Sequence, residues 1–226
     1  MVRAVLFDAA GTLIELTRSV GEIYSEVAAD HGVALPAWRL DDAFGRVFRR
    51  QSPMCFPEVA PDAVTEMRER ERAWWRDLVR QTFQATDSTV RFADLDALFE
   101  TLWRHFADPQ SWRLRPGVRD ALAALRAAGI ETGVVSNFDH RLPDLLQELG
   151  ISDEIRCTIL PGTHGAAKPD PAVFEPALRA LGVTAQEAVY VGDQPAVDGE
   201  AARAAGLRFI DVGQLGSLTE LPMLLG

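Results

Sequence analysis

Residues 2–13 read VRAVLFDAAGTL, and this segment is the strongest indication of the fold. Val2 to Phe7 is a short apolar run rich in residues that favour β-structure, which is typical of a strand buried on both faces of a parallel sheet. The run stops at Asp8, and Gly11-Thr12 follows. We therefore expect a buried strand with a polar loop at its carboxyl end.

Strand and helix patterns alternate after Pro116-Gly117. Helices are predicted at 118–128, 142–149, 171–181 and 195–205, and strands at 132–135, 155–160, 188–191 and 207–212. This alternation predicts an α/β fold built on a doubly wound parallel sheet.

Residues from about 19 to 106 instead show helical periodicity, with apolar positions such as Val20, Ile23 and Val27. No convincing strand interrupts this region. We therefore predict a Rossmann-like α/β core of residues 1–16 and 113–226 and an inserted all-helical domain of residues 17–112.

Composition limits the classes of partner. The 226 residues are 47% hydrophobic and 25% charged, which is enough to bury a core. The formal net charge is −10, so the chain should repel a nucleic-acid backbone. It has no apolar run near the roughly 18 residues of a membrane helix, and its two cysteines match no zinc spacing. We expect a cytoplasmic protein without a nucleic-acid or membrane partner; the sequence does not indicate its oligomeric state.

Polar residues follow the predicted strands. Asp8 ends the first, Ser136-Asn137 ends the second, Lys168 lies in the loop after the third, and Asp193 ends the fourth, with Asp198 five residues later. Ligands of open α/β sheets bind beyond the carboxyl ends of the strands, so these residues should share one edge.

Three of these residues are aspartates, and two like charges 4 Å apart repel by about 4 kcal/mol at an effective dielectric near 20. A cation is therefore expected there. Carboxylates and a phosphate group suit Mg²⁺, and Lys168, the only lysine among 23 basic residues, adds an ammonium. Together these groups indicate a phosphoryl site.

Each residue taken singly also has a structural interpretation. Asp8 alone is more often a turn residue than a nucleophile. Ser136 and Asn137 fit turns or caps, and Asp193, shortly before Pro195, fits a helix cap.

Four motifs together resemble those of the haloacid dehalogenase-like (HAD) hydrolase superfamily. They are residues 7–13 (FDAAGTL), 135–137 (VSN), 168–169 (KP) and 192–198 (GDQPAVD). The helical insertion resembles the cap of one subgroup. Residues 20–24 (VGEIY), Trp74-Trp75 and 136–139 (SNFD) resemble its rhythmically-expressed-gene-like branch.

The resemblance implies a hydrolase that acts on a small phosphorylated metabolite through an aspartyl-phosphate at Asp8. Lys168 would neutralise charge during catalysis. The resemblance further implies that Ser136, Asn137, Gly11 and Thr12 bind the phosphate, and that Asp8, the Ala10 carbonyl, Asp193 and Asp198 hold or support Mg²⁺.

Ala10 departs from the family pattern, because phosphatases of this superfamily usually carry a second aspartate at that position. General acid–base help is typically worth about 10²–10⁴ in rate, so dephosphorylation should be slow or restricted to good leaving groups. His140 or His164 could substitute. The alternatives are a non-catalytic phosphate- or partner-binding protein or, less favoured, a haloacid dehalogenase. A phosphonoacetaldehyde hydrolase would need a cap lysine, which residues 17–112 lack.

Overall fold

The computed structural model describes residues 1–60 and 62–225; Pro61 and Gly226, which belong to the predicted insertion and core, lie outside the described residues. The strands are β1 (Ala4–Phe7), β2 (Ile14–Leu16), β3 (Trp112–Leu114), β4 (Glu131–Val135), β5 (Thr158–Ile159), β6 (Ala188–Gly192) and β7 (Arg208–Asp211). The α-helices are α1 (Val20–Asp30), α2 (Ala37–Phe48), α3 (Val64–Thr86), α4 (Leu95–Ala107), α5 (Val118–Ala127), α6 (Leu142–Glu148), α7 (Pro161–His164), α8 (Glu175–Leu181), α9 (Glu200–Ala204) and α10 (Leu221–Leu225).

Five strands form a parallel sheet in the order β5-β4-β1-β6-β7. Leu6 of β1 pairs with Gly133 of β4 on one side and with Tyr190 of β6 on the other. The chain continues from β1 toward one edge of the sheet and from β6 toward the other. This arrangement opens a crevice at the carboxyl ends of β1 and β6, where doubly wound proteins bind ligands. The predicted α/β parallel sheet is confirmed.

Successive side chains of a strand point to opposite faces of the sheet. Both faces of this sheet are apolar, and helices cover them. Ala4 and Leu6 of β1 pack in one buried cluster with Phe174, Ala177 and Ala201. Val5 and Phe7 are also buried and alternate toward the other face. The residue at the end of β1 is therefore held by packing on both sides.

Several predicted elements differ in extent. The third predicted strand, residues 155–160, shortens to the two residues of β5. The helix predicted at 171–181 divides into a 3₁₀ turn at Pro171–Phe174 and α8, whose second residue, Pro176, lacks an N–H to continue the first turn. The helix predicted at 195–205 begins as a π-helix at Pro195–Gly199 before α9.

The strands β2 and β3 pair in a two-stranded sheet that the sequence did not indicate. Each has only three residues, too few for an alternating pattern to emerge.

Contacts divide the chain into two compact units. The first comprises Met1–Glu15, Pro53–Met67 and Leu114–Gly226, and the second Leu16–Ser52 and Arg68–Arg113. The predicted division into 1–16 plus 113–226 and 17–112 stays a prediction. The units differ from it at Pro53–Met67, which belongs with the sheet.

The second unit is helical and has its own core. Tyr24 of α1 stacks on Phe83 of α3 with ring centroids 5.5 Å apart, among buried residues of α4 such as Leu98. Trp75 packs against this cluster.

Among residues 1–60 and 62–225, no helix combines the length and apolarity that a membrane span requires.

Candidate active site

Asp8 and Asp193 follow adjacent strands, β1 and β6, at the same edge of the sheet. Phe7 pairs with Val191, and the Asp8 amide donates a hydrogen bond of 2.8 Å to the Val191 carbonyl. Asp198 lies in the π-helix after β6. One carboxylate oxygen from each aspartate lies within 4.8 Å of the others. The fold thus brings the three predicted carboxylates into one cluster.

Lys168 joins this cluster from the loop after α7. Its Nζ donates hydrogen bonds of 2.8 Å to Asp8 Oδ1, 2.7 Å to Asp198 Oδ1 and 2.6 Å to the Tyr190 hydroxyl. An ammonium group has three donors, and here all three have partners. Lys168 therefore lies rigidly between two carboxylates.

Burial and charge oppose each other at Lys168. Burial lowers the pKa of Lys168, but the neighbouring Asp8 and Asp198 carboxylates outweigh it, so the pKa is raised above its ordinary value. The lysine therefore remains an ammonium at neutral pH, as a group that neutralises charge must.

The pKa and the contacts of Asp193 indicate that the carboxylate cluster lacks positive charge. Burial, followed by the charges of Asp8 and Asp198, raises its pKa to about 6. Its Oδ1 is buried and has no hydrogen-bond partner among the described residues. One ammonium cannot balance three carboxylates. The donor set, hard oxygens with an unsatisfied acceptor, fits a divalent cation such as Mg²⁺.

Two glycines make space for these carboxylates. A Cβ at Gly11 would lie 2.4 Å from Asp193 Oδ2, and a Cβ at Gly192 would lie 2.4 Å from Asp198 Oδ2. Gly11 also has a φ of +86°, which L side chains rarely adopt. Both positions therefore require glycine on steric grounds, and for Gly11 this is a role apart from the predicted phosphate contact.

The loop after Asp8 folds back on itself. The Ala9 carbonyl accepts hydrogen bonds from the amides of Thr12, Leu13 and Ile14 at 2.8–3.1 Å. Thr12 is buried, and its hydroxyl has no partner among the described residues. The predicted roles of Thr12 in phosphate binding and of the Ala10 carbonyl in metal binding stay predictions.

Asn137 holds the backbone of Lys168. Its side-chain amide donates a 2.8 Å hydrogen bond to the Lys168 carbonyl and accepts one of 2.9 Å from the Lys168 amide. Ser136 is buried at the end of β4, and its amide bonds to the Ile159 carbonyl. The contact observed for Asn137 positions the lysine, whereas the sequence predicted a contact with phosphate.

Tyr190 is a site residue that the sequence analysis missed. Its hydroxyl accepts from Lys168 and donates a 2.8 Å hydrogen bond to the Val135 carbonyl. Burial and the nearby Asp8 and Asp198 charges raise its pKa well above the ordinary value, so it stays protonated. The sequence did contain a signal for Tyr190, because a tyrosine within the apolar strand β6 places a hydroxyl in the core, and a buried tyrosine hydroxyl needs a hydrogen-bond partner.

Arg115 was also missed. Its Nη1 donates to the Gly11 carbonyl, and its amide donates a 3.0 Å hydrogen bond to the Leu13 carbonyl. Its Nε lies 3.7 Å from Glu15 Oε2. Arg115 thus fastens the loop that carries Ala10. No motif singled it out, because 22 arginines are spread along the chain.

The two histidines proposed as substitutes for the missing aspartate lie on different elements: His164 ends α7, and His140 lies in the turn before α6. His164 is exposed, and its Nδ1 lies 2.7 Å from Thr163 Oγ1. His140 is half-buried and adjoins Asp139, which forms a buried ion pair with Arg141. A role for either histidine stays a prediction.

Known proteins share both the sequence and the fold. A family model of haloacid dehalogenase-like hydrolases matches residues 2–206. Haloacid dehalogenase-like hydrolase domain-containing protein 3 of Danio rerio is 33% identical over 207 residues, which cover 92% of this chain and 83% of that protein. Rhythmically expressed gene 2 protein of Drosophila melanogaster is 26% identical over 211 residues, covering 90% and 80%.

A solved structure extends the comparison. The HAD phosphatase from Thermococcus onnurineus superposes with a TM-score of 0.66 over 100% of this chain and 98% of that one, at 22% identity. This likeness shows the shared fold alone. The family match covers most of the chain, and the resemblance found in its motifs is confirmed: the chain belongs to the haloacid dehalogenase-like hydrolases.

Proposed function

We propose that this hydrolase is a magnesium-dependent phosphatase that acts on a small phosphorylated metabolite through an aspartyl-phosphate at Asp8. One observation carries the proposal. The buried Lys168 ammonium lies 2.8 Å from Asp8 and 2.7 Å from Asp198, within a cluster that includes Asp193. A carboxylate paired with a fixed cation beside further carboxylates suits attack on an anionic phosphoryl group.

Each residue of the site has a separate role in the proposed phosphoryl transfer. Asp8 attacks phosphorus, and Lys168 neutralises the charge that gathers between nucleophile and phosphate. Asp8, Asp193 and the Ala10 carbonyl would hold Mg²⁺, with Asp198 supporting it. The ion, when bound, balances negative charge and polarises a phosphoryl oxygen. Ser136, Gly11 and Thr12 would bind the phosphate, and Asn137 would hold the Lys168 backbone beside it.

Ala10 weakens this phosphatase, because a methyl group can neither protonate a leaving alcohol nor activate water. Loss of general acid–base help lowers rates by about 10²–10⁴. We therefore expect low activity on alkyl phosphates and higher activity on substrates whose leaving group needs no proton.

A screen of phosphate monoesters, aryl phosphates and acyl phosphates tests the proposal. Wild type is compared with Asp8→Asn, which has nearly the same shape without the nucleophile, in Mg²⁺ and after chelation. We expect turnover by wild type with Mg²⁺ only, and none by Asp8→Asn. Equal hydrolysis by both proteins would exclude covalent catalysis at Asp8.

Ala10 also favours a second candidate, a HAD-fold protein that binds phosphate compounds without turning them over. Calorimetric titration of wild type with the same compounds separates the two functions. Binding without product would support the second candidate. A 2-haloacid in the screen tests dehalogenation, which the cluster of three carboxylates disfavours because attack on carbon needs no cation.

A further inference from the structure

We infer that the phosphorylated form of Asp8 accumulates: acyl phosphates phosphorylate this chain quickly, and water removes the phosphoryl group slowly. The inference rests on the proposed function, since it requires Asp8 to be the nucleophile. It adds a substrate class and a persistent covalent state. The reason is that, with an acyl phosphate, only the second of the two steps needs the proton transfer that Ala10 cannot supply.

The first step needs no proton. An Asp8 oxygen forms a bond to phosphorus, the bond from phosphorus to the acyl oxygen breaks, and the leaving group departs with the electron pair as a carboxylate. Because carboxylic acids have a pKa of about 4, this carboxylate is stable without protonation. An alkyl phosphate would release an alkoxide, whose conjugate acid is about as weak an acid as water, so this leaving group needs a proton. Acyl phosphates are therefore the class that Ala10 permits.

The second step does need proton transfer. A water oxygen bonds to phosphorus, the bond from phosphorus to the Asp8 oxygen breaks, and Asp8 returns as a carboxylate. The water gives up a proton as orthophosphate forms. A positioned base typically contributes about 10²–10⁴ to such a step, and Ala10 offers only a methyl group. Hydrolysis is therefore the slow step with an acyl phosphate.

The side chains around Asp8 are committed to other contacts. Lys168 uses its three donors on Asp8, Asp198 and Tyr190. The Tyr190 hydroxyl donates to the Val135 carbonyl at 2.8 Å. Asp198 accepts from Lys168 through Oδ1 and from the Gln194 amide, at 3.0 Å, through Oδ2. Lys168 has no lone pair to accept a proton, and the Tyr190 hydroxyl and the Asp198 carboxylate are held in buried hydrogen bonds, so none of the three is positioned as a base for water.

The remaining polar neighbours are either too weakly basic or are needed as ligands of the proposed cation. The Asn137 side chain is a neutral amide that bonds at both ends to the Lys168 backbone. The Thr12 hydroxyl is an alcohol, and Asp193 is assigned to the cation. Ala10 itself is half-buried and lies two positions after Asp8. This position is where a base can be restored.

Acetyl phosphate is the probe, added with Mg²⁺ to wild type, Asp8→Asn, Ala10→Asp and Ala10→Asn. Acetate release is followed in time, and acid-quenched samples are weighed by intact-protein mass spectrometry. For wild type we expect a burst of acetate close to one equivalent per chain, a slow phase, and a chain heavier by one phosphoryl group. Asp8→Asn should show neither burst nor added mass.

The Ala10 variants form a matched pair, because aspartate and asparagine have the same shape and only aspartate accepts a proton. The lifetime of the phosphorylated chain should fall by about 10²–10⁴ in Ala10→Asp. It should stay close to the wild-type lifetime in Ala10→Asn. Equal lifetimes in wild type and folded Ala10→Asp would overturn the inference. If Ala10→Asp fails to fold, the wild-type burst decides alone.

The remaining outcomes separate the two proposals. Wild type that turns over acetyl phosphate with no burst and no added mass overturns accumulation and leaves the phosphatase standing. Wild type that releases no acetate and gains no mass overturns both. Burst, added mass and slow hydrolysis together support the inference.

Discussion

Nζ of Lys168 donates a hydrogen bond of 2.8 Å to Oδ1 of Asp8, a residue 160 positions away in the chain. The two side chains are 3% and 8% exposed. Charges so removed from water have lost most of their hydration, and their mutual attraction and hydrogen bonds offset that cost. Removal of either partner would therefore leave a buried charge without compensation, so the pair matters for stability as well as for the proposed chemistry.

Replacing Lys168 with methionine should destabilise the metal-free protein by about 3–5 kcal/mol, because Asp8 and Asp198 would stay buried without their cation. Mg²⁺ should restore part of this stability. Urea unfolding with and without Mg²⁺ measures both effects. Lys168→Arg is the control that keeps the charge but changes its geometry, and it should lose less stability. An unchanged midpoint for Lys168→Met would contradict the argument.

Removing the Tyr190 hydroxyl should loosen Lys168. In Tyr190→Phe the Val135 carbonyl loses its side-chain donor and Lys168 loses one acceptor, which should cost about 1–3 kcal/mol of stability. We expect kcat to fall while KM changes little, since the phenol touches the lysine and not the proposed substrate. Steady-state kinetics and unfolding of the same variant check this. A change in KM alone would argue against a positioning role.

The convergence of Asp8, Lys168 and Asp193 could be predicted from sequence because parallel strands deliver the residues after them to one edge. The catalytic and binding roles given to these residues stay predictions, since geometry alone does not test them.

Other features depend on distant contacts that leave no local pattern. The hydroxyl partners of Tyr190 come from β4 and from the Lys168 loop. Arg115 reaches the Gly11 carbonyl across 104 positions, and Pro53–Met67 joins the sheet unit although the sequence around it is helical. Strand β5 was overpredicted because apolar residues continue beyond the hydrogen-bonded pair.

Asp193 should make stability and Mg²⁺ binding depend on pH. Its pKa is about 6 in the folded chain against an ordinary 3.8, so the native state favours the neutral carboxyl. The neutral Asp193 carboxyl therefore stabilises the metal-free protein. This stabilisation is complete below the ordinary pKa and is lost as the pH rises through about 6.

Mg²⁺ needs the carboxylate, so it competes with that proton. Below a pH of about 6, affinity for Mg²⁺ should fall by up to about tenfold per pH unit. Calorimetric titration at several pH values measures it, and Asp193→Asn should remove this dependence along with much of the affinity. Constant wild-type affinity between pH values of about 5 and 7 would show that Asp193 does not titrate with the metal.

Neither His140 nor His164 should set the lifetime of phosphorylated Asp8. His140→Ala and His164→Ala are each treated with acetyl phosphate, and the loss of the phosphoryl group is followed from a pH of about 5.5 to 8, on both sides of the ordinary histidine pKa of about 6.5. We expect rates and pH profiles like those of wild type. A pH limb lost in one variant would identify that histidine as the replacement base.

Gly11 and Gly129 allow steric crowding to be separated from backbone strain. Both have positive φ, +86° and +70°, but a Cβ at Gly11 would lie 2.4 Å from Asp193 Oδ2, whereas nothing lies within 4 Å of one at Gly129. Alanine at either position should cost roughly 1 kcal/mol or more of stability through strain.

Only Gly11→Ala should also displace the Asp193 carboxylate. It should therefore weaken Mg²⁺ binding and turnover, while Gly129→Ala retains both at temperatures where it is folded. Mg²⁺ titration of the two variants, matched by their unfolding midpoints, makes the comparison. Equal Mg²⁺ affinity would mean that the loop after Asp8 yields enough for Asp193 to keep its place, and the glycine would then be required for its backbone conformation alone.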